Sequence, residues 1–72
     1  MNTKEVVIKE GIVKESQTGG LFLIEFGPGE EAWSVLAGKL RKFKIRILPG
    51  DKVKVEFSPH DLTRGRITYR FR

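Results

Sequence analysis

A chain of 72 residues with no cysteine has room for one modest core, expected to span residues 1–72 as a single domain, and excludes a disulfide framework or a thiolate metal cluster. No apolar run approaches the roughly 20 residues that cross a bilayer, and Met1 to Glu10 lack the layout of a secretory signal, so a soluble protein of the cytoplasm with no membrane partner is expected. The formal charge of +5 is unevenly spread: Met1 to Leu36 carry three lysines against six glutamates, whereas Ala37 to Arg72 carry eleven Lys or Arg against Asp51, Glu56 and Asp61. Polyphosphate is the partner that most rewards such a field, through counterion release.

From the N-terminus, Val6 to Ser16 is rich in β-formers, with Gly11 placed to permit a bend or bulge. Thr18-Gly19-Gly20 marks a turn, after which Phe22, Ile24 and Phe26 form an inward set, although Leu21 and Leu23 opposite them are apolar too. Gly27-Pro28-Gly29 reads as a hairpin turn leading into a strand over Ala32 to Leu36. Trp33 in that strand could stack on a base, but core or partial-core packing is the default for a lone tryptophan. Gly38 to Phe43 breaks the β pattern, because Lys39, Leu40, Arg41 and Lys42 are good helix formers with no β-branched residue among them, and one helical turn is expected there. Leu48-Pro49-Gly50-Asp51 makes the next turn. Over Lys52 to Ser58 the residues Val53, Val55 and Phe57 alternate with Lys52, Lys54 and Glu56, the period of a half-buried strand. Ser58-Pro59-His60-Asp61 turns the chain again. In the last stretch Ile67, Tyr69 and Phe71 are assigned inward, and Arg66, Thr68, Arg70 and Arg72 to the opposite surface. Together these elements predict an all-β domain, a five-stranded Greek-key barrel of the OB-fold type with one short helix between the third and fourth strands. An SH3-like barrel is the main rival.

Enzymatic templates fail one by one. Gly38-Lys39 supplies the end of a phosphate-cradling loop, but the upstream glycine is replaced by Trp33. Glu30 and Glu31 behind Gly27-Pro28-Gly29 would repel a phosphate. His60 is the only imidazole, so no histidine cluster can hold a metal, and no cofactor is expected. What remains is a basic constellation: Lys39, Arg41, Lys42, Lys44 and Arg46 in and after the helical insertion, with Arg64, Arg66, Arg70 and Arg72 near the C-terminus. A charge run is often only a solvated face. The share of arginine, whose planar fork grips phosphate bidentately and stacks on bases, favours RNA over that alternative.

The run Gly38-Lys39-Leu40-Arg41-Lys42, then Ile45-Arg46-Ile47-Leu48-Pro49-Gly50-Asp51-Lys52-Val53 and Asp61-Leu62-Thr63-Arg64-Gly65-Arg66-Ile67, resembles the bacterial translation initiation factor one and its plastid version. The pattern extends without a gap back to Gly11 and Val13. The resemblance implies an OB barrel that sits in the aminoacyl-tRNA site of the small ribosomal subunit, touching ribosomal RNA and a neighbouring ribosomal protein. It implies a monomer that blocks premature tRNA entry and assists the other initiation factors without being an enzyme, working in the cytoplasm or, for the plastid version, the stroma. Carried over by position, it marks Lys39, Arg41, Lys42, Arg46, Arg64, Arg66 and Arg70 as RNA contacts. The chain departs from the family pattern mainly before the helical insertion, where Val35-Leu36-Ala37 stands in place of the typical His-Ile-Ser and Leu23 in place of a frequent basic residue; later, His60 stands where tyrosine is common. A single-strand binder resembling the cold-shock proteins is the competing function, although the paired aromatic motifs of that class are not apparent here.

Overall fold

A period of two in side-chain polarity closes into a barrel only if each strand finds two neighbours, and all five strands here do. The computed structural model describes residues 6–71. In chain order the elements are β1 (Val7–Gln17), β2 (Leu21–Gly27), β3 (Glu30–Leu36), α1 (Gly38–Lys42), β4 (Lys52–Ser58) and β5 (Asp61–Arg70). The strands close in the order β1-β2-β3-β5-β4, with β3 and β5 parallel and every other pair antiparallel. This is the OB arrangement, with its one short helix between β3 and β4.

The long first strand makes closure possible. Val7 to Ile12 pair with β4, and Ile12 to Gln17 pair with β2. Between the two sets the chain must turn sharply. Gly11 lies at the turn, where an added Cβ would come within 2.7 Å of Glu25 O, Ile24 Cγ2 and Phe26 Cδ1. The bulge expected near Gly11 falls slightly later, between Val13 and Glu15. The glycine therefore serves close approach of β2, and the bulge supplies the added bend.

Val13, Ile24, Val53, Val55 and Ile67 fill the interior with essentially no exposed surface, and Phe22, Phe57 and Ala32 complete the layer. Leu40 from α1 and Ile47 from the following loop join this core. The helix thus plugs one end of the barrel, and the Ala37 amide donates to Ile67 O at 2.9 Å to fix its root. A five-residue helix has no stability of its own, so the burial of Leu40 holds it in place.

The side-chain assignments in two strands need correction, at Trp33 in β3 and at Tyr69 and Phe71 in and after β5. In β3 the small residues Ala32 and Ser34 face the core, so Trp33 stands half-buried on the outer surface. At that level the interior is already filled by Phe22 and Phe57, and a large β3 side chain would not fit. In β5, Val55 is opposite Ile67 but Lys54 is opposite Tyr69 and Val53 opposite Arg70. Thr68 is the extra residue of a bulge, and it inverts the phase of all that follows. Tyr69 is consequently outside and 51% exposed, while Arg70 takes the interior phase at the barrel end.

The Ser34 hydroxyl is buried and has no hydrogen-bond partner among the described residues. An unsatisfied buried hydroxyl keeps its desolvation cost without compensation, so Ser34→Ala is expected to stabilise the barrel by about 1 kcal/mol. Chemical denaturation measures this directly; an unchanged or lowered midpoint would contradict it.

Candidate nucleic-acid interface

The plug presents its cations outward because its apolar positions are committed to the core. With Leu40 and Ile47 buried, Lys39, Arg41, Lys42, Lys44 and Arg46 are all exposed. Among the described residues none of the five enters an ion pair. Lys39, Arg41 and Lys42 also lie in the last turn of α1, where their charge suits the carbonyl end of the helix dipole.

The helix ends in a Schellman motif, with the Lys44 amide donating to Arg41 O at 3.1 Å and the Ile45 amide to Leu40 O at 3.0 Å. That geometry puts Lys44 in the left-handed region at φ 56°, a position where glycine is usual. A lysine there accepts backbone strain in return for a charged side chain at the tip of the plug. Lys44→Gly is therefore expected to stabilise the fold by about 1 kcal/mol while weakening affinity for RNA. Thermal melts and RNA titrations should move in opposite directions; a variant both less stable and unchanged in binding would refute the trade.

The four C-terminal arginines do not behave as one row. Arg64 and Arg66 are exposed on the outer face of β5, in register with Trp33 and Val35 of β3. Arg64 forms no ion pair among the described residues, whereas Arg66 reaches Glu56 Oε1 at 3.2 Å, an exposed pair worth little and readily exchanged for phosphate. Arg70 points elsewhere: its Nη1 donates to Arg46 O at 2.6 Å, and its Nε lies 3.9 Å from Asp51 Oδ2. Asp51 in turn accepts from the Leu48 amide at 2.9 Å. Arg70 is thus a strut that ties the loop carrying Arg46 to the end of β5. Arg72 lies outside the described residues.

The expected shared surface for Arg66 and Arg70 is therefore broken at Thr68, and the plug is the larger group of unpaired cations among the described residues. Its root lies beside Arg66, since Val35 pairs with Arg66 and Leu36 with Ile67 just before α1 begins. At the start of β5, Asp61 accepts from the Thr63 hydroxyl and amide, and these bonds hold its carboxyl below the usual carboxylate range. The turn that launches Arg64 is accordingly intact at neutral pH.

Phe43 is a candidate contact residue that charge counting misses. It is 65% exposed between Lys42 and Lys44, placing an open aromatic face amid the plug cations. The signal for it lies in the sequence: once Leu40 and Ile47 supply the apolar contacts of so short an insertion, a further aromatic has no interior to enter. An open cleft lined by Ile12, Glu25, Phe26, Gly27 and Pro28 lies on β1 and β2 and contains none of the basic candidates.

No protein-family model matches the chain. Among solved structures it is similar to the solution structure of translation initiation factor one from the Wolbachia endosymbiont strain TRS of Brugia malayi. The two are 33% identical with a TM-score of 0.78, over 93% of this chain and 79% of that one.

Proposed function

Because the chain belongs to the family of translation initiation factor one, we propose that it binds the small ribosomal subunit at the aminoacyl-tRNA site and acts there by occupancy, without turnover. The observation that carries this reading is the plug itself: five exposed cations, none held by a carboxylate among the described residues, on an insertion anchored by Leu40 and Ile47. Such a projection suits structured RNA, which is gripped largely through phosphate, shape and stacking contacts. Lys39, Arg41, Lys42, Lys44 and Arg46 meet phosphates, and Arg64 and Arg66 extend the contact along the outer face of β5.

Arg70 contributes by positioning Arg46. The protein works as a monomer in the cytoplasm, beside a neighbouring ribosomal protein and together with the other initiation factors. Blocking premature tRNA entry follows from volume alone, since a barrel seated in the site leaves no room for an anticodon stem.

Chemical footprinting of small-subunit RNA with and without the protein tests the reading. Protection confined to the aminoacyl-tRNA site is the expected result. Protection elsewhere, or none at concentrations that saturate cosedimentation, would overturn it.

A further inference from the structure

The Thr68 bulge leaves an unusual surface on the outer side of β4 and β5. Tyr69 and Phe71 meet edge to face, with ring centroids 5.1 Å apart and planes at 86°. Two lysines from β4 lie over these rings: Lys52 Nζ is 5.1 Å from the Phe71 centroid, and Lys54 Nζ is 5.5 Å from Tyr69 and 5.7 Å from Phe71. Neither ring belongs to the core cluster. Glu10 lies 3.5 Å from Lys52 and in register with Lys54. Lys54 enters no ion pair among the described residues.

We propose that this face is a second RNA contact, in which an unpaired base stacks on the Tyr69 and Phe71 pair while Lys52 and Lys54 take the adjoining phosphates. An acidic peptide would satisfy the lysines and leave both rings unused. An apolar peptide would use the rings and strand two ammonium groups against it. A nucleotide with its base unpaired is the ligand that engages both halves, because aromatic stacking and phosphate attraction are the two interactions by which single strands are held. The resting contacts also favour exchange. An exposed cation–π contact is weaker than a base stacked on an aromatic ring, so the incoming base displaces the ammonium groups, which are then free to follow the phosphates.

This surface lies on β4 and β5 and uses no residue assigned to the plug contact, so it stands or falls apart from the tRNA-site reading. The test is an NMR titration of the full chain that follows the Tyr69 and Phe71 ring resonances. Three probes are compared: single-stranded hexa-adenylate, an abasic hexamer of the same backbone, and hexaglutamate. Upfield ring shifts with hexa-adenylate alone are expected, and the double variant Tyr69→Leu and Phe71→Leu should bind it about tenfold more weakly. Both rings lie outside the core, and an unchanged thermal midpoint confirms that this variant is folded.

Equal affinity for the abasic hexamer overturns base stacking, and equal affinity for hexaglutamate overturns RNA as the ligand. Retained hexa-adenylate affinity in the double leucine variant removes the site altogether. A variant carrying Arg41→Glu and Arg46→Glu should keep the ring shifts. Should it lose them, the base was being held by the plug, and the second contact is refuted while the first is not.

Discussion

Replacing Lys39, Arg41 and Arg46 together by glutamate is expected to abolish cosedimentation with small ribosomal subunits while leaving the fold intact. All three side chains are exposed and outside every ion pair among the described residues, so their replacement leaves the core untouched and costs only the small, solvent-screened contribution of Lys39 and Arg41 at the helix end. A hydrogen bond to a charged group contributes about 1.5 kcal/mol or more, and three such losses together weaken binding about a thousandfold before any repulsion is counted. The slope of log affinity against log salt should fall by about two, because three fewer counterions are released. Retained cosedimentation with an unchanged slope would place the RNA contact on another face. Arg70→Glu makes an instructive comparison: it should loosen the loop that carries Arg46 and lower the thermal midpoint by more than the three plug substitutions do, because it breaks direct contacts to Arg46 O and Asp51.

Gly65→Ala is expected to destabilise the barrel strongly for the addition of a single methyl group. Gly65 takes the interior phase of β5, opposite Ser34 in β3, and an added Cβ would run into Val55 Cγ1, with Phe57 Cε2 and Ser34 Oγ each 3.0 Å away. None of these neighbours has free space to move into, since Val55, Phe57 and Ser34 are all buried. Overpacking of this kind costs about 3 kcal/mol, and in a domain this small the thermal midpoint should drop by about 15 °C. Because the principal clash is with Val55, the double variant Gly65→Ala and Val55→Ala should be less destabilised than the sum of its single variants. Additive losses would show that the cost arises from the backbone instead.

Where alternation is unbroken it locates the strands well. Lys52 to Ser58 lies in the structure as its polarity pattern requires, and Gly38 to Lys42 is helical where β-branched residues are lacking. The plug cations are equally legible, since an insertion anchored by Leu40, Ile45 and Ile47 turns its charged side chains to solvent. Alternation misleads where a strand contains an extra residue. Thr68 carries no local mark of a bulge, as a glycine would, so a strict count by two assigns Tyr69 inward and groups Arg70 with Arg66. In β3 the pattern misleads for another reason: Trp33 and Val35 are the larger side chains, yet the smaller Ala32 and Ser34 face a core already occupied from across the barrel.

Family membership, the barrel, the plug and its charge were therefore determined by the order of residues along the chain, because each depends on local propensity, short-period polarity or a contiguous motif. Which arginines remain free was decided only on folding. That Arg70 braces Arg46, that Arg66 meets Glu56, and that Tyr69 and Phe71 emerge beside Lys52 and Lys54 all depend on the register of β5 against β4. Register is a relation between distant segments, set by how the closed barrel fills its interior, and no single stretch of sequence contains it.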